Sequence, residues 1–199
     1  EVQTLEAAGG ARAGGPAGRV AKREIAPPEE ALEAAVKLLG SSRRPVIIVG
    51  HGARFAMAEV TALAEALNAP VLTTFKAKGL IADRHPLGCG VLGRSGTPIA
   101  SHFMNESDAL LVLGASFSNH TGITPKKPTI QVDFDAMTLG KFHAVDVPVW
   151  GEIATTVAFL RERLQGGVSA SDQRPEIAQR WEIWRAEKAR RALDDRGRG

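Results

Sequence analysis

Cysteine is nearly missing from this chain: Cys89 stands alone among 199 residues. One thiol builds neither a disulfide framework nor a zinc site, and its neighbours Gly88 and Gly90 suggest a loop position, not an activated thiolate. Tyrosine is absent and aromatics make up only 5%. The formal net charge is a small +3. No cluster of Lys and Arg with interleaved aromatics is present, which argues against nucleic acid as a partner; the basic residues that do cluster lie in the tails, where charge runs read as solvated faces. No apolar run approaches the ~20 residues that a membrane-spanning helix needs, and Glu1-Val2-Gln3-Thr4 does not open a signal peptide. These absences lead to the expectation of a cytoplasmic protein with no membrane partner.

Hydrophobic residues make up 44% of the chain, enough for a sizeable core in one domain with tails. Three strand-then-loop units stand out. Pro45-Val46-Ile47-Ile48-Val49 opens into Gly50-His51-Gly52, Ala109-Leu110-Leu111-Val112-Leu113 into Gly114-Ala115-Ser116, and Thr129-Ile130-Gln131-Val132 into Asp133-Phe134-Asp135. Short apolar runs without alternation read as strands buried on both faces, hence parallel. Glycine or a short acid just past such a strand leaves backbone amides free to meet a phosphate or a ribose.

Around these units the pattern alternates strand and helix. Residues 1–27 read as an N-terminal linker rich in Gly, Ala, Arg and Pro. A helix is expected from Pro28 through Leu39, with Pro28 at its first turn and Gly40 at its C-cap. A second covers Ala56 to Leu67, followed by a strand over Val71 to Thr74. A glycine-punctuated loop is expected over Phe75 to Gly96. A helix capped by Thr97 or Ser95 then carries Ile99, Phe103 and Met104. A last strand is expected over Val145 to Trp150 and a helix over Glu152 to Leu164. Residues 28–164 thus form a Rossmann-like α/β domain, a parallel sheet with helices on both faces. Residues 165–199 read as a Gly/Ser linker and an amphipathic connector helix, with Ile177, Trp181, Trp184 and Lys188 on one stripe. That stripe needs a cover, either this domain or another part of a longer chain, and both ends look like cuts through a larger protein.

Several segments, in order, carry a family likeness: Arg44 through Arg54, Lys78 through Pro86, Gly90-Val91-Leu92-Gly93-Arg94-Ser95-Gly96, Ser107 through Gly114, and Val132-Asp133-Phe134-Asp135 with Gly140-Lys141 beyond. The chain resembles the central domain of thiamine-diphosphate-dependent enzymes of the acetohydroxyacid synthase, pyruvate oxidase and oxalyl-CoA decarboxylase group. That resemblance implies three α/β domains in the parent enzyme, of which this is the middle one. Thiamine diphosphate and magnesium belong to the outer two domains, which are the implied partners, and the parent is expected to be a homo-oligomer. The catalytic glutamate of the first domain and the metal-binding Gly-Asp-Gly of the third are not found here. The fragment alone is therefore expected to be inactive, a piece of a transferase or lyase that is acetolactate-synthase-like and acts on a 2-oxo acid. The middle domain of relatives binds FAD, or ADP and the nucleotide of CoA, or nothing, so the resemblance implies that this one serves either as a structural domain or as one that binds FAD or ADP/CoA.

The residues themselves are compatible with a nucleotide site. Gly50, Gly52 and Gly114 lie at the carboxyl ends of adjacent strands, where a crevice forms. Arg54, Lys76, Lys78 and Arg94 sit on loops facing that edge, placed to neutralise a pyrophosphate. Asp133 ends its strand where it can accept from a ribose hydroxyl. Plainer readings stand beside these. Gly50 and Gly114 relieve tight turns; Asp133 or Asp135 caps the turn over Ala136 to Leu139; Arg54 pairs with Glu59 or Asp83; His51 is a turn residue; His85 before Pro86 is structural. One departure from the family matters. Its synthases carry Gly-x-Arg-Phe-Asp-Asp-Arg after the strand that aligns with Ala109 to Leu113, whereas here Ser116 and His120 replace the two arginines. A neutral loop holds a flavin diphosphate less well than two guanidinium groups, although Ser116, Asn119 and Thr121 can still donate hydrogen bonds. An alternative of another class is a free-standing nucleotide-binding module, such as an electron-transfer flavoprotein or an NAD-dependent deacylase-like domain. The deacylase reading lacks its zinc cysteines.

Overall fold

In the run Pro45–Val49 all five residues are buried, and they form the central strand β1 of a six-stranded sheet. The computed structural model describes residues 24–195, with residues 6, 8–10 and 15 before them; most of the expected N-terminal linker lies outside the described residues. The other strands are β2 (Val71–Thr73), β3 (Gly88–Val91), β4 (Ala109–Leu113), β5 (Thr129–Asp133) and β6 (Val147–Trp150). Every pairing is parallel, in the order β3-β2-β1-β4-β5-β6. Ile47 faces Val71 on one side and Leu111 on the other, and Leu111 in turn faces Ile130. These apolar strands fill the core, and β1 and β4 are buried at every position.

The chain builds the sheet outward from β1 to β3, then returns across it to β4. That reversal places a switch point between β1 and β4. The helices are α1 (Glu29–Ser41), α2 (Met57–Ala66), α3 (Pro98–Glu106), α4 (Ile153–Arg163) and α5 (Arg174–Asp195). Right-handed crossovers running in opposite directions put α2 and α3 on opposite faces. Accordingly α4 packs against α1 and α2, while α3 packs against α5. Thr97 caps α3 by accepting from the Ala100 amide at 3.1 Å, with Pro98 in the first turn, and Glu152 caps α4 through the Thr155 amide at 2.8 Å.

The C-cap of α1 is Ser42, with the expected cap Gly40 inside the helix, and two elements depart further from the expectations. The segment expected to be loop from Phe75 to Gly96 contains β3, a four-residue strand pairing with β2. Two of its residues are glycines, so it carries no local strand preference; pairing with β2 and cover from α5 hold it. The segment read as a linker after Leu164 is tied to the domain. Ser169 and Ser171 donate backbone N–H bonds to Gly40 and Arg43, and the buried Gln173 donates from Nε2 to the Pro45 carbonyl at 3.1 Å.

The helix that follows packs back on this domain. Ile177 and Trp181 are buried, and Trp181 Nε1 donates to the Gly88 carbonyl at 2.8 Å. Trp184 stacks edge-on against Trp181 with centroids 5.4 Å apart, and Lys188 lies over the Trp184 ring. Glu176 fastens the start of the helix, accepting from Arg44 at 2.8 Å and Arg180 at 3.3 Å and bonding His102 at 2.7 Å.

Candidate functional site: a cleft over the switch point

A cleft of about 650 Å³ opens at the carboxyl ends of the first four strands. Its size lies within the range of small-molecule sites, roughly 300–1,000 Å³. Each wall is the loop that follows a strand. The turn after β1 supplies His51, and that after β2 supplies Thr74, Phe75 and Lys76. The β3–α3 connection supplies Gly93, Arg94 and Ser95, and the loop after β4 supplies Ser116, Ser118 and His120. Two of these loops are joined: the Arg94 amide donates to the His120 carbonyl at 3.2 Å.

Of the residues expected at a site, Lys76, Arg94, Gly114 and Ser116 come together on this cleft. Gly50 and Gly52 lie beneath it, pressed on the next loop. The Gly50 amide donates to Leu113 O at 2.8 Å and the Gly52 amide to Gly114 O at 3.0 Å. Arg54 points its guanidinium at the Phe55 ring, 4.3 Å from the centroid, and donates to the His51 carbonyl; it pairs with neither Glu59 nor Asp83. Lys78 and Asn119 are exposed and off the lining, although Ser118 and His120 on either side of Asn119 are on it. Asp133 is half-buried and turned to its own chain, accepting from the Asp135 amide at 3.0 Å. Burial raises its carboxyl above the ordinary range against the pull of the hydrogen bonds from Asp135 and Thr138. Asp135 caps the short turn Ala136–Thr138.

Sequence reasoning passed over His51 as a turn residue and treated His120 as a lost arginine; both line the cleft. The usable signal was their place, just past β1 and in the loop after β4, at the strand ends flanking the switch point. Elsewhere, His85 takes the Leu87 amide on Nδ1 at 3.2 Å, a structural role. Cys89 is buried beneath α5, where burial first and the Glu176 charge second push its thiol far above the usual range.

The lining has an electrostatic bias. Lys76 and Arg94 stand on it with no Asp or Glu among the lining residues, and neither makes an ion pair among the described residues. A polar group carrying negative charge suits this wall, and the exposed Phe75 ring beside Lys76 offers a flat apolar surface. These donors fit the diphosphate of a nucleotide. They do not fit thiamine diphosphate held through a metal ion. No three His, Cys, Asp or Glu side chains gather for a metal among the described residues, and Gly-Asp-Gly does not occur in the sequence. No described helix is long and apolar enough to cross a membrane.

Comparison with known proteins agrees with this architecture. The family model for the central domain of thiamine pyrophosphate enzymes matches residues 32–160, from within α1 to within α4. A probable acetolactate synthase large subunit of Methanococcus aeolicus is 39% identical over 128 residues, covering 61% of this chain and 21% of that protein. The acetolactate synthase isozyme 1 large subunit of Escherichia coli is 34% identical over 137 residues, covering 66% and 24%. The chain thus spans between a fifth and a quarter of the length of these relatives. A solved structure from Mycobacterium smegmatis, described as a thiamin diphosphate-dependent enzyme, shares the fold with a TM-score of 0.61 at 19% identity, covering 73% of this chain and 29% of that one. A parallel six-stranded sheet whose family match runs from its first helix to its fourth, together with acetolactate synthase relatives at 34–39% identity, places this chain in the thiamine pyrophosphate enzyme family, as a central domain.

Proposed function

We propose that the chain is the nucleotide-binding central domain of an acetolactate-synthase-like enzyme that acts on a 2-oxo acid, and that the switch-point cleft takes the diphosphate of FAD or of an ADP- or CoA-type nucleotide. The observation that carries this is the pair of cations, Lys76 and Arg94, that make no ion pair among the described residues and stand on the wall of a cleft without carboxylates in its lining. In this reading Lys76 and Arg94 hold the diphosphate, Ser116 donates to it from the loop after β4, and the Phe75 ring covers a planar ring of the ligand. Thiamine diphosphate and magnesium bind only in the flanking domains, which supply the chemistry that decarboxylates the 2-oxo acid. The fragment is inactive alone, and the parent assembles as a homo-oligomer.

Calorimetric titration of the chain with FAD, ADP and CoA tests the reading. Saturable FAD binding below about 10 μM, roughly −7 kcal/mol, supports a flavin-holding parent. Saturation by ADP or CoA with FAD silent supports an acyl-CoA-type parent. Silence from all three, in a chain whose thermal unfolding is cooperative, removes the nucleotide role and leaves a bracing domain.

A further inference from the structure

We propose that one flank of α5 is a self-association surface, on which α5 of a second copy of this chain docks antiparallel about a two-fold axis passing between Ile183 and Trp184. This face shares no lining residue with the switch-point cleft, so the pairing stands whether or not a nucleotide binds there.

Only part of the circumference of α5 holds the domain. Ile177 and Trp181 are buried, and Trp184 leans edge-on against Trp181. At about 3.6 residues per turn, a different stripe runs along the flank through Glu176, Arg180, Ile183, Glu187 and Arg191. Its middle opens on a groove of about 170 Å³, where Arg180, Ile183, Trp184 and Glu187 meet Pro98 and Ile99 from the start of α3. Ile183 stands in this groove 59% exposed, with apolar neighbours on either side. A second helix laid along the groove covers it.

The charges of the stripe say which helix that is. They are arranged antisymmetrically about the apolar middle. Arg180 stands three residues before Ile183 and Glu187 three after Trp184; Glu176 stands seven before Ile183 and Arg191 seven after Trp184. An identical helix turned end for end over this centre sets Arg180 against Glu187 of the second copy and Glu187 against Arg180 of the second copy. Ile183 meets Trp184 of the second copy, and the two-fold makes every contact occur twice. Within one helix Glu176 pairs with Arg180, and Glu187 with Arg191, at i,i+4; antiparallel docking joins these short pairs into one array of alternating sign. A parallel arrangement sets Arg180 on Arg180 and Glu187 on Glu187, and like charges opposed across an interface repel. Arg185 and Lys188 lie over the Trp181 and Trp184 rings and stay out of the array. The apolar centre is small, which puts the pairing in the weak class of interfaces, below about 1,200 Å². Exposed charge pairs of this kind set orientation and register more than affinity.

Analytical ultracentrifugation of the 199-residue chain over about 10 μM to 1 mM tests the pairing. A monomer–dimer equilibrium with a Kd of about 0.1 mM, weakened about fivefold to tenfold between about 50 mM and 500 mM NaCl, is expected. Arg180→Glu and Glu187→Arg, each checked for cooperative thermal unfolding, should be monomeric alone, because both cross-helix pairs become repulsive. Mixed in equal amounts they should dimerise again, since each chain then offers the charge that the other has reversed. Ile183→Lys, at a residue exposed in the monomer, is the second variant and should also remain monomeric. A wild-type chain that stays monomeric up to about 1 mM overturns the proposal and leaves this face to a flanking domain of the parent. Association that survives both charge reversals or Ile183→Lys places the contact on another surface and overturns it. A mixture of the two charge variants that stays monomeric overturns the antiparallel register and the proposal with it.

Discussion

A methyl group on Gly50 would lie 2.1 Å from the Gly114 carbonyl oxygen, and one on Gly114, itself at φ +56°, would lie 2.7 Å from the Gly52 α-carbon. Backbone meets backbone here, so no side-chain rotation relieves the overlap. Gly50→Ala is therefore expected to destabilise the chain by about 2–4 kcal/mol, read from urea unfolding. Gly40→Ala is the contrast: its methyl meets only Leu164 Cδ2 at 3.7 Å, inside α1, and a gain of about 0.5–1 kcal/mol is expected. The glycines after β1 and β4 were legible as glycines that a strand end requires. Their bonding to each other was not, because the partners are distant in sequence and the motif is the same whether the turn meets a ligand or its neighbour. His120 was hidden for a related reason: its value lies in which loop faces Arg94, and only the tertiary bond between those loops shows it.

At the level of elements, strands with five apolar residues and helices with caps were readable from local pattern, and β3 was not. Gly88-Cys89-Gly90-Val91 has no apolar alternation and only one branched side chain, Val91, and its hydrogen-bonding partner and its cover come from elsewhere in the chain. Trp181→Phe keeps the ring packing but leaves the Gly88 carbonyl without its indole donor. A loss of about 1–2 kcal/mol is expected, measured by thermal unfolding. Docking of α5 also carries a pH signature through Glu176. Burial opposes the Glu176 charge, but hydrogen bonds from Arg44 and His102, the Arg44 charge and the bond from Arg180 outweigh it, bringing the carboxyl from the ordinary 4.5 to about 2. A depressed carboxyl contributes stability that is present above pH 4.5 and lost as pH falls toward 2. Between neutral pH and about pH 3 the wild-type melting temperature should therefore fall further than that of Glu176→Gln. Equal falls would show that the Glu176 cluster contributes nothing to α5 docking.

On the scale of the whole molecule, protection should grade across the sheet. β1 and β4 are buried at every residue and bonded on both sides, whereas β3 has one sheet neighbour and depends on α5. Hydrogen exchange in Trp181→Ala should therefore accelerate at residues 88–91 well before residues 45–49 or 109–113. Uniform acceleration would mean that α5 and the sheet unfold as one unit. The β/α alternation and parallel sheet were readable because the central strands are short unbroken apolar runs and the helices between them carry apolar stripes. The tie of residues 165–173 to the core was not, since that connection is polar and short of apolar residues, whereas the return of the final helix onto this domain was one of the two readings its apolar stripe left open. Exposed Phe55, Phe75, Phe134, Met137, Phe142 and Trp150 are scattered over three connections and the end of β6, whose sequences give no common period.

The two outermost strands have a consequence for life at high concentration. Any open strand can recruit a like strand from another molecule and seed an ordered aggregate. On β3 the Gly88 carbonyl is already occupied by Trp181, and on β6 the exposed Pro148 has no N–H to offer. The sheet thus ends at both sides in positions that resist templating, and that resistance is lost on the β3 side whenever α5 lifts away.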